Sequence, residues 1–311
     1  MARILVTGAA GFIGRALCRG LVERGHAVLG VTRHPATPIP GTELRAIGDI
    51  DAGTGWSKHL ARIDIVVHLA SRAHRPRRDA ADDDEPQAAR ILLQSAASAG
   101  VCRLVHMSSV RAMGDATVPG APFRATDTPK PRDAYGRGKL AIERALLAAA
   151  QQSEIEIVVL RSPLVYGPGV KANFRALMRL AASGLPLPLA GIENHRSLIF
   201  IDNLVDLVNR ACTHPDAKGR VLLARDGADL STPELIRILA AELRRPARLF
   251  AVPAPVMAVL RRLPALEPLL LRLTLSLQVD DSETRAALDW RPPVSSEIGL
   301  AATARAFLPR P

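Results

Sequence analysis

Val6-Thr7-Gly8-Ala9-Ala10-Gly11-Phe12-Ile13-Gly14 is the stretch on which the reading of the fold turns. An apolar run at residues 4–6 leads into it and a helical pattern at residues 15–24 leaves it. Its three glycines are spaced GxxGxxG. One suits a tight turn, one lets backbone approach a pyrophosphate, and one lets helix and strand pack closely. The start of a helix also offers unpaired N–H groups and a partial positive charge to phosphate oxygens. The stretch predicts a strand–turn–helix that cradles a dinucleotide, with Gly8, Gly11, Phe12, Ile13 and Gly14 against it. A glycine-rich turn without a ligand is the bland alternative, and the flanking strand and helix disfavour it.

Outward from this loop, residues 27–31, 63–70, 104–107 and 155–160 form further short apolar runs rich in Val and Ile. Near-continuous apolar runs are what strands buried on both faces require. Helical patterns at 87–99 and 135–151 lie between them. The alternation predicts an α/β fold, a Rossmann-type doubly wound parallel sheet. After about residue 165 prolines and glycines break the pattern. Residues 198–201 and 221–223 are expected to rejoin the sheet, and a strand is expected near 248–252. The domain plan is a dinucleotide-binding domain over 1–165, with 195–224 returning to it. Residues 166–194 and 225–311 would form a smaller C-terminal α/β substrate lobe.

Composition narrows the class. The chain has 311 residues, 48% apolar but only 3% aromatic, so its core is aliphatic. Cys18, Cys102 and Cys212 fit neither a zinc spacing nor a disulfide framework. No metal is expected, and a reducing cytoplasm is. No signal peptide is expected ahead of the first strand. The most apolar late stretch, 256–277, is interrupted by Arg261, Arg262, Pro264, Pro268 and Arg272. A buried or capping helix pair is expected there, not a membrane span, with a membrane-surface helix as the lesser alternative. The net charge is +11. Its densest basic run, 72–78, has no interleaved aromatics and precedes the acidic run 82–85, so it reads as a solvated loop. No nucleic-acid motif stands out.

The end of the second strand reads Gly30-Val31-Thr32-Arg33-His34. A carboxylate there would bond a ribose 2′-hydroxyl, whereas an arginine suits a 2′-phosphate. NADP(H) is therefore favoured, held by Thr32 and Arg33, with NAD(H) possible. Asp49 and Ile50, after the third strand, are candidates for the adenine. Leu69, Ala70 and Ser71 at the end of the fourth strand, and Pro163, complete the expected cofactor contacts.

Tyr135, one of two tyrosines, stands four residues before Lys139. On a helix these positions share a face. A phenol of pKa near ~10 exchanges protons poorly at neutral pH, and a nearby ammonium or oxidised nicotinamide favours the phenolate. Ser108-Ser109 follow a strand at the carboxyl end, where such sheets bind ligands. Either hydroxyl could orient a substrate oxygen toward Tyr135.

Residues 7–14, Ser108-Ser109, Tyr135 with Lys139, and Arg161-Ser162-Pro163-Leu164-Val165-Tyr166-Gly167-Pro168-Gly169 occur in an order and spacing that resemble one family. The chain resembles the extended short-chain dehydrogenases/reductases, within them the NAD-dependent epimerase/dehydratase family and its nucleotide-sugar branch. The resemblance implies a Ser/Thr–Tyr–Lys catalytic set. Aligned on Ser-Ser-Val-Arg-Ala-Met-Gly (108–114), Ser109 takes the serine's place. Asn173, and Arg196 in His195-Arg196-Ser197-Leu198-Ile199-Phe200, resemble substrate-binding positions, and residues 279–293 close the same pattern. With Ser109, Arg111 and Tyr166, Asn173 and Arg196 form the expected substrate contacts. The arginine's planar fork suits a diphosphate. The family also implies a homodimer through a four-helix interface, here the alanine-rich stretches 87–99 and 135–151.

Two departures stand out. Residues 82–89 lack the Asn and Gly-Thr that many members carry, and Arg161-Ser162 replaces Arg-Pro. The expected activity is NADP(H)-dependent reduction of a UDP-linked 4-keto-6-deoxy sugar. An NAD-retaining UDP-sugar 4-epimerase is the alternative, weighed against by the missing carboxylate at Thr32. A dihydroflavonol-type reductase and a non-catalytic dinucleotide sensor rank below both.

Overall fold

Seven strands pair in parallel at the centre of the chain, all but the edge strand at 42–46 largely apolar because both faces are covered. The computed structural model describes residues 1–71, 84–253 and 267–308. The strands are β1 (Arg3–Thr7), β2 (Ala27–Thr32), β3 (Thr42–Ala46), β4 (Ile65–His68), β5 (Arg103–Ser109), β6 (Glu156–Ser162) and β9 (Val221–Leu223). Their order is β3-β2-β1-β4-β5-β6-β9. The chain winds outward from β1 to β3, then restarts at β4 on the other side of β1. That reversal opens a crevice at the carboxyl ends of β1 and β4. The register sets Thr7 beside His68, His68 beside His106, and Ser109 beside Ser162, so these ends lie along one rim.

Helices α1 (Phe12–Glu23) and α6 (Ile201–Thr213) cover one face through Leu17, Leu21, Leu204 and Val208. A four-residue helix, α2 (Ser57–Leu60), and the longer α3 (Glu85–Ser98) and α4 (Ala134–Ala150) cover the other through Leu60, Leu92, Leu93, Ile142 and Leu146. Ala88, Ala89, Ala96 and Ala149 lie buried there. The Asp133 side chain starts α4 by accepting the Gly136 N–H, at 2.6 Å.

A helical lobe follows. Strands β7 (Leu164–Tyr166) and β8 (Leu198–Phe200) form a separate two-stranded parallel sheet. Helices α5 (Ala172–Ala182), α7 (Thr232–Glu242) and α10 (Ser296–Phe307) pack on it around Tyr166, Phe174, Met178, Leu239 and Leu300. A reciprocal cap between Ser231 and Glu234 starts α7. Helices α8 (Glu267–Thr274) and α9 (Ser282–Leu288) complete the described elements. Leu288 and Trp290 turn back into the first core, where the indole N–H donates to Asp206 at 3.0 Å.

Two details depart from the sequence reading. Residues 198–200 pair with β7 instead of rejoining the main sheet, while β9 does rejoin it. Residues 248–252 form no strand, only one bridge from Leu249 to Leu187. Pro186, Pro188, Pro246 and Pro253 surround that bridge and cannot donate to a ladder. The basic run 72–78 lies outside the described residues, as do half of the 82–85 acidic run and half of the apolar stretch 256–277. Among the described residues no helix is long and apolar enough to cross a membrane.

Candidate active site

The glycine loop lies at the crevice between β1 and α1. Gly8 has φ +69°, the left-handed region that favours glycine, and a Cβ on it would press on Ala70 N at 3.1 Å. A Cβ on Gly14 would meet Ala9 Cα at 2.8 Å and come closer still to the Gly8 carbonyl oxygen. Gly11 is the N-cap of α1 and supplies no capping side chain, nor is any acidic residue in the first turn. That cradle suits a pyrophosphate, with Phe12, Ile13 and Gly14 offering their N–H groups. Thr7 joins the two strands flanking the crevice. Its hydroxyl accepts the N–H groups of Leu69 and Ala70, both at 3.1 Å, and therefore donates to His68 Nδ1 at 2.9 Å. This tie places Leu69, Ala70 and Ser71 beside the loop.

At the end of β2, Thr32 turns its hydroxyl to the His34 carbonyl at 2.8 Å. Arg33 and Asp49, both expected at the cofactor, pair with each other at 2.5 Å. Asp49 also lines an open polar depression of about 400 Å³ with Ile47, Asp51, Lys58 and His59. Ile50 packs against the core under α2. Pro163 is buried between β6 and β7.

The two adjacent serines part company. Ser108 is buried and donates to Glu143, whose carboxylate also pairs with Arg161 at 2.6 Å. Ser109 instead is only half-buried, accepts the Arg111 N–H, and lies close enough to Tyr135 for its hydroxyl to favour the phenolate. Tyr135 is 36% exposed at the start of α4. Burial pushes its phenol above the ordinary range; the Ser109 hydroxyl pulls it down, Asp133 and Glu85 push it up, and Arg111 pulls it down. Lys139 lies one turn below, buried, and donates to the Met107 carbonyl at 3.2 Å. Burial brings its pKa down to about 8, against the pull of Glu85 and Glu143. Beneath it stack two fully enclosed imidazoles, His68 and His106, 5.4 Å apart. Burial, then the Lys139 charge, holds His68 neutral with a pKa near about 3 and drives His106 down as well.

The expected substrate residues scatter more. Arg196 bridges Leu230 and Leu277 through its backbone. Burial, then the Arg111 charge, lowers its pKa, so the two guanidiniums face one region. Asn173 is exposed near the start of α5, next to Ala172 at φ +51°. Tyr166 is not at an open surface: it is fully buried, stacks on Phe174 at 5.3 Å, and bonds Asp226 at 2.7 Å. The sequence reading also missed Asp133, the Thr7–His68 tie and the Glu143–Arg161 pair. Asp133 carried a signal, an N-cap residue just before a helical run; the other two join residues far apart in sequence.

Comparison with known proteins agrees with this geometry. The NAD dependent epimerase/dehydratase family matches residues 4–223. The UDP-glucose 4-epimerase of Vibrio cholerae is 39% identical over 318 aligned positions, covering 98% of this chain and 95% of that protein. The dTDP-6-deoxy-L-talose 4-dehydrogenase (NAD(P)(+)) of Kitasatospora kifunensis is 30% identical over 82% of this chain and 83% of its own. Among solved structures, MoeE5 in complex with UDP-glucuronic acid and NAD superposes with a TM-score of 0.76 at 27% identity, over 98% of both chains.

These findings correct two expectations. MoeE5 holds NAD, with UDP-glucose as well as with UDP-glucuronic acid, which overturns the preference for NADP(H). The physical reason lies in the Arg33–Asp49 pair: the guanidinium meant for a 2′-phosphate is already matched by a carboxylate. The reductase reading falls with it, since it rested on that preference and the Vibrio relative is an epimerase. The chain belongs to the NAD dependent epimerase/dehydratase family and is an NAD(P)-dependent enzyme of the extended short-chain dehydrogenase/reductase type.

Proposed function

We propose that this chain is a UDP-sugar 4-epimerase that retains NAD. The observation that carries the proposal is the convergence of Ser109, at the carboxyl end of β5, and Tyr135, in the first turn of α4, on the rim that also holds the glycine loop. The Vibrio and MoeE5 relatives support the substrate class.

Gly8, Gly11 and Gly14, with the first-turn N–H groups of α1, would hold the NAD pyrophosphate. Asp49 and Ile50 lie toward its adenine end, and Leu69, Ala70, Ser71 and Pro163 along its length. When bound, NAD supplies a hydride acceptor that can return the hydride. Tyr135 takes the proton from the sugar C4 hydroxyl and gives it back, general acid–base catalysis of ~10²–10⁴-fold. Ser109 holds the same oxygen. Lys139 supplies positive charge beneath Tyr135. Arg196 grips the UDP pyrophosphate, and Asn173 stands at the lobe side of the cleft. Residues 1–165 and 195–224 would mainly serve the cofactor, with Ser109, Tyr135 and Arg196 reaching the sugar nucleotide; 166–194 and 225–311 would serve the sugar nucleotide. Helices α3 and α4 would form the homodimer face, and sedimentation as a monomer at micromolar concentration would refute that part.

The test is to denature purified protein, identify the released nucleotide, and assay interconversion of UDP-glucose and UDP-galactose. Retained NAD and interconversion are expected. Tyr135→Phe should keep its NAD and lose ~10²–10⁴-fold in turnover. Failure to interconvert UDP-glucose, UDP-N-acetylglucosamine or UDP-glucuronic acid refutes the proposal.

A further inference from the structure

Arg111 stands where the two halves of the site meet, and the mechanism above gives it no task. Its backbone N–H donates to Ser109 Oγ at 3.2 Å. Its guanidinium pairs with Asp133 at 2.5 Å and reaches Asp115 at 3.4 Å. Asp133 uses its other oxygen to cap α4, two residues before Tyr135. The Arg111 carbonyl lies against Gly136, where a Cβ would meet the Arg111 carbonyl carbon and Pro131 Cβ, each at 3.0 Å. Arg111 thus touches the turn that carries Ser109 and the helix end that carries Tyr135, by three separate contacts.

We propose that the Arg111–Asp133 ion pair is a positioning device that holds Ser109 and Tyr135 in hydrogen-bonding register and presents Tyr135 with a balanced pair of charges. The inference rests on the reading of Tyr135 as the proton-exchanging group. It competes with the expectation that Arg111 grips substrate. Asp133 and Asp115 both engage its Nη2, which ties one side of the guanidinium to the protein. Arg196 faces it with like charge. The charged groups that act on Tyr135 are Asp133 at the N-cap of α4, Glu85 from α3 and Arg111 from the turn after β5. Asp133 and Arg111 act on the phenol with opposite sign.

That opposition makes the idea testable. Asp133→Asn keeps an N-capping residue but removes a negative charge. The phenolate becomes easier to form, so the acid limb of kcat moves to lower pH. Arg111→Gln removes the positive charge, so the limb moves to higher pH. It should also lower kcat ~10–100-fold through misplacement of the two hydroxyls, with KM for the UDP-sugar little changed. Arg111→Lys restores the charge without the fork, so its limb returns toward wild type while kcat stays low.

A second readout needs no substrate. The chain has two tyrosines, and Tyr166, buried and bonded to Asp226, is pushed far up. Phenolate absorbance of the folded, NAD-loaded protein therefore follows Tyr135, with Tyr135→Phe as the blank. Limbs that move the same way in Asp133→Asn and Arg111→Gln, or do not move, overturn the proposal. So does a rise in KM at unchanged kcat in Arg111→Gln, which would make Arg111 a substrate ligand. If Arg111→Gln fails to fold, Asp133→Asn alone decides by its downward shift. If the wild type turns over no UDP-sugar, the epimerase reading fails while the phenolate titrations still test the clamp.

Discussion

Gly14→Ala should cost the protein its cofactor before it costs the fold. The new Cβ would lie 2.8 Å from Ala9 Cα and 2.9 Å from the Ala9 carbonyl carbon, with the Gly8 carbonyl oxygen nearer still. All three are backbone atoms of the loop itself, so no side chain can swing aside. Either α1 slides away from β1 or the turn at Gly8 opens. Overpacking of this kind costs ~1–3 kcal/mol, partly offset by ~1 kcal/mol from replacing a helical glycine with alanine. A net loss of up to about 2 kcal/mol lowers Tm by roughly 4–8 °C at ~2–4 °C per kcal/mol. The strain falls on the N–H groups that face the pyrophosphate, so NAD affinity should drop ~10-fold or more. Gly227→Ala is the control, since it lies outside the loop and its Cβ meets only Ser296 Oγ, at 3.9 Å. The assay is the molar ratio of NAD released from denatured protein, with calorimetric Tm, for wild type and both variants. A Gly14→Ala protein with wild-type NAD content and wild-type Tm would refute the argument that this glycine is needed for close approach.

Three further outcomes follow from buried groups. Glu143→Gln breaks an ion pair whose side chains are only 1% and 5% exposed, and should destabilise the protein by ~3–5 kcal/mol in urea unfolding. Replacing Glu143 and Arg161 together by Met should recover most of that loss, and an equally unstable double variant would contradict the pairing. Ser109→Ala should lower kcat with little change in Tm, whereas Ser108→Ala should lower Tm and spare kcat; the reverse pattern would exchange their roles. Lys139 has its pKa depressed from 10.5 to about 8. The unfolded chain therefore binds this proton more strongly, and stability from the group is lowest below about pH 8 and rises toward about pH 10.5. Lys139→Met should be more stable near neutral pH, by an amount of order 3 kcal/mol, and should lose that slope; an unchanged slope in urea titrations would count against burial of the ammonium.

Much of the fold was legible because the cause was local. Buried parallel strands must be apolar throughout, so the runs that became β1, β2, β4, β5 and β6 could be read off within a residue or two at most ends. The same holds for the glycine loop and for Tyr135 with Lys139, whose spacing is a helical turn. The lobe was less legible. Three-residue strands such as β8 carry no periodicity of their own, and only the position of Leu164–Tyr166 decided which sheet took it.

The sequence by itself determined the loop, the alternation of strands and helices, and the placing of Tyr135 and Lys139 one turn apart on a helix, because each is written in neighbouring residues. Tertiary structure alone decided what those residues face. Arg33 looked like a phosphate ligand until Asp49, sixteen positions on, was seen to hold it. Ser108 and Ser109 are chemically identical, and only the placement of Glu143 behind one and Tyr135 before the other tells them apart. Tyr166 reads as a cleft residue in the motif, yet Phe174 and Asp226 enclose it. In each case the deciding partner is distant in the chain, and a side chain's charge and acidity depend on that partner and on its exclusion from water.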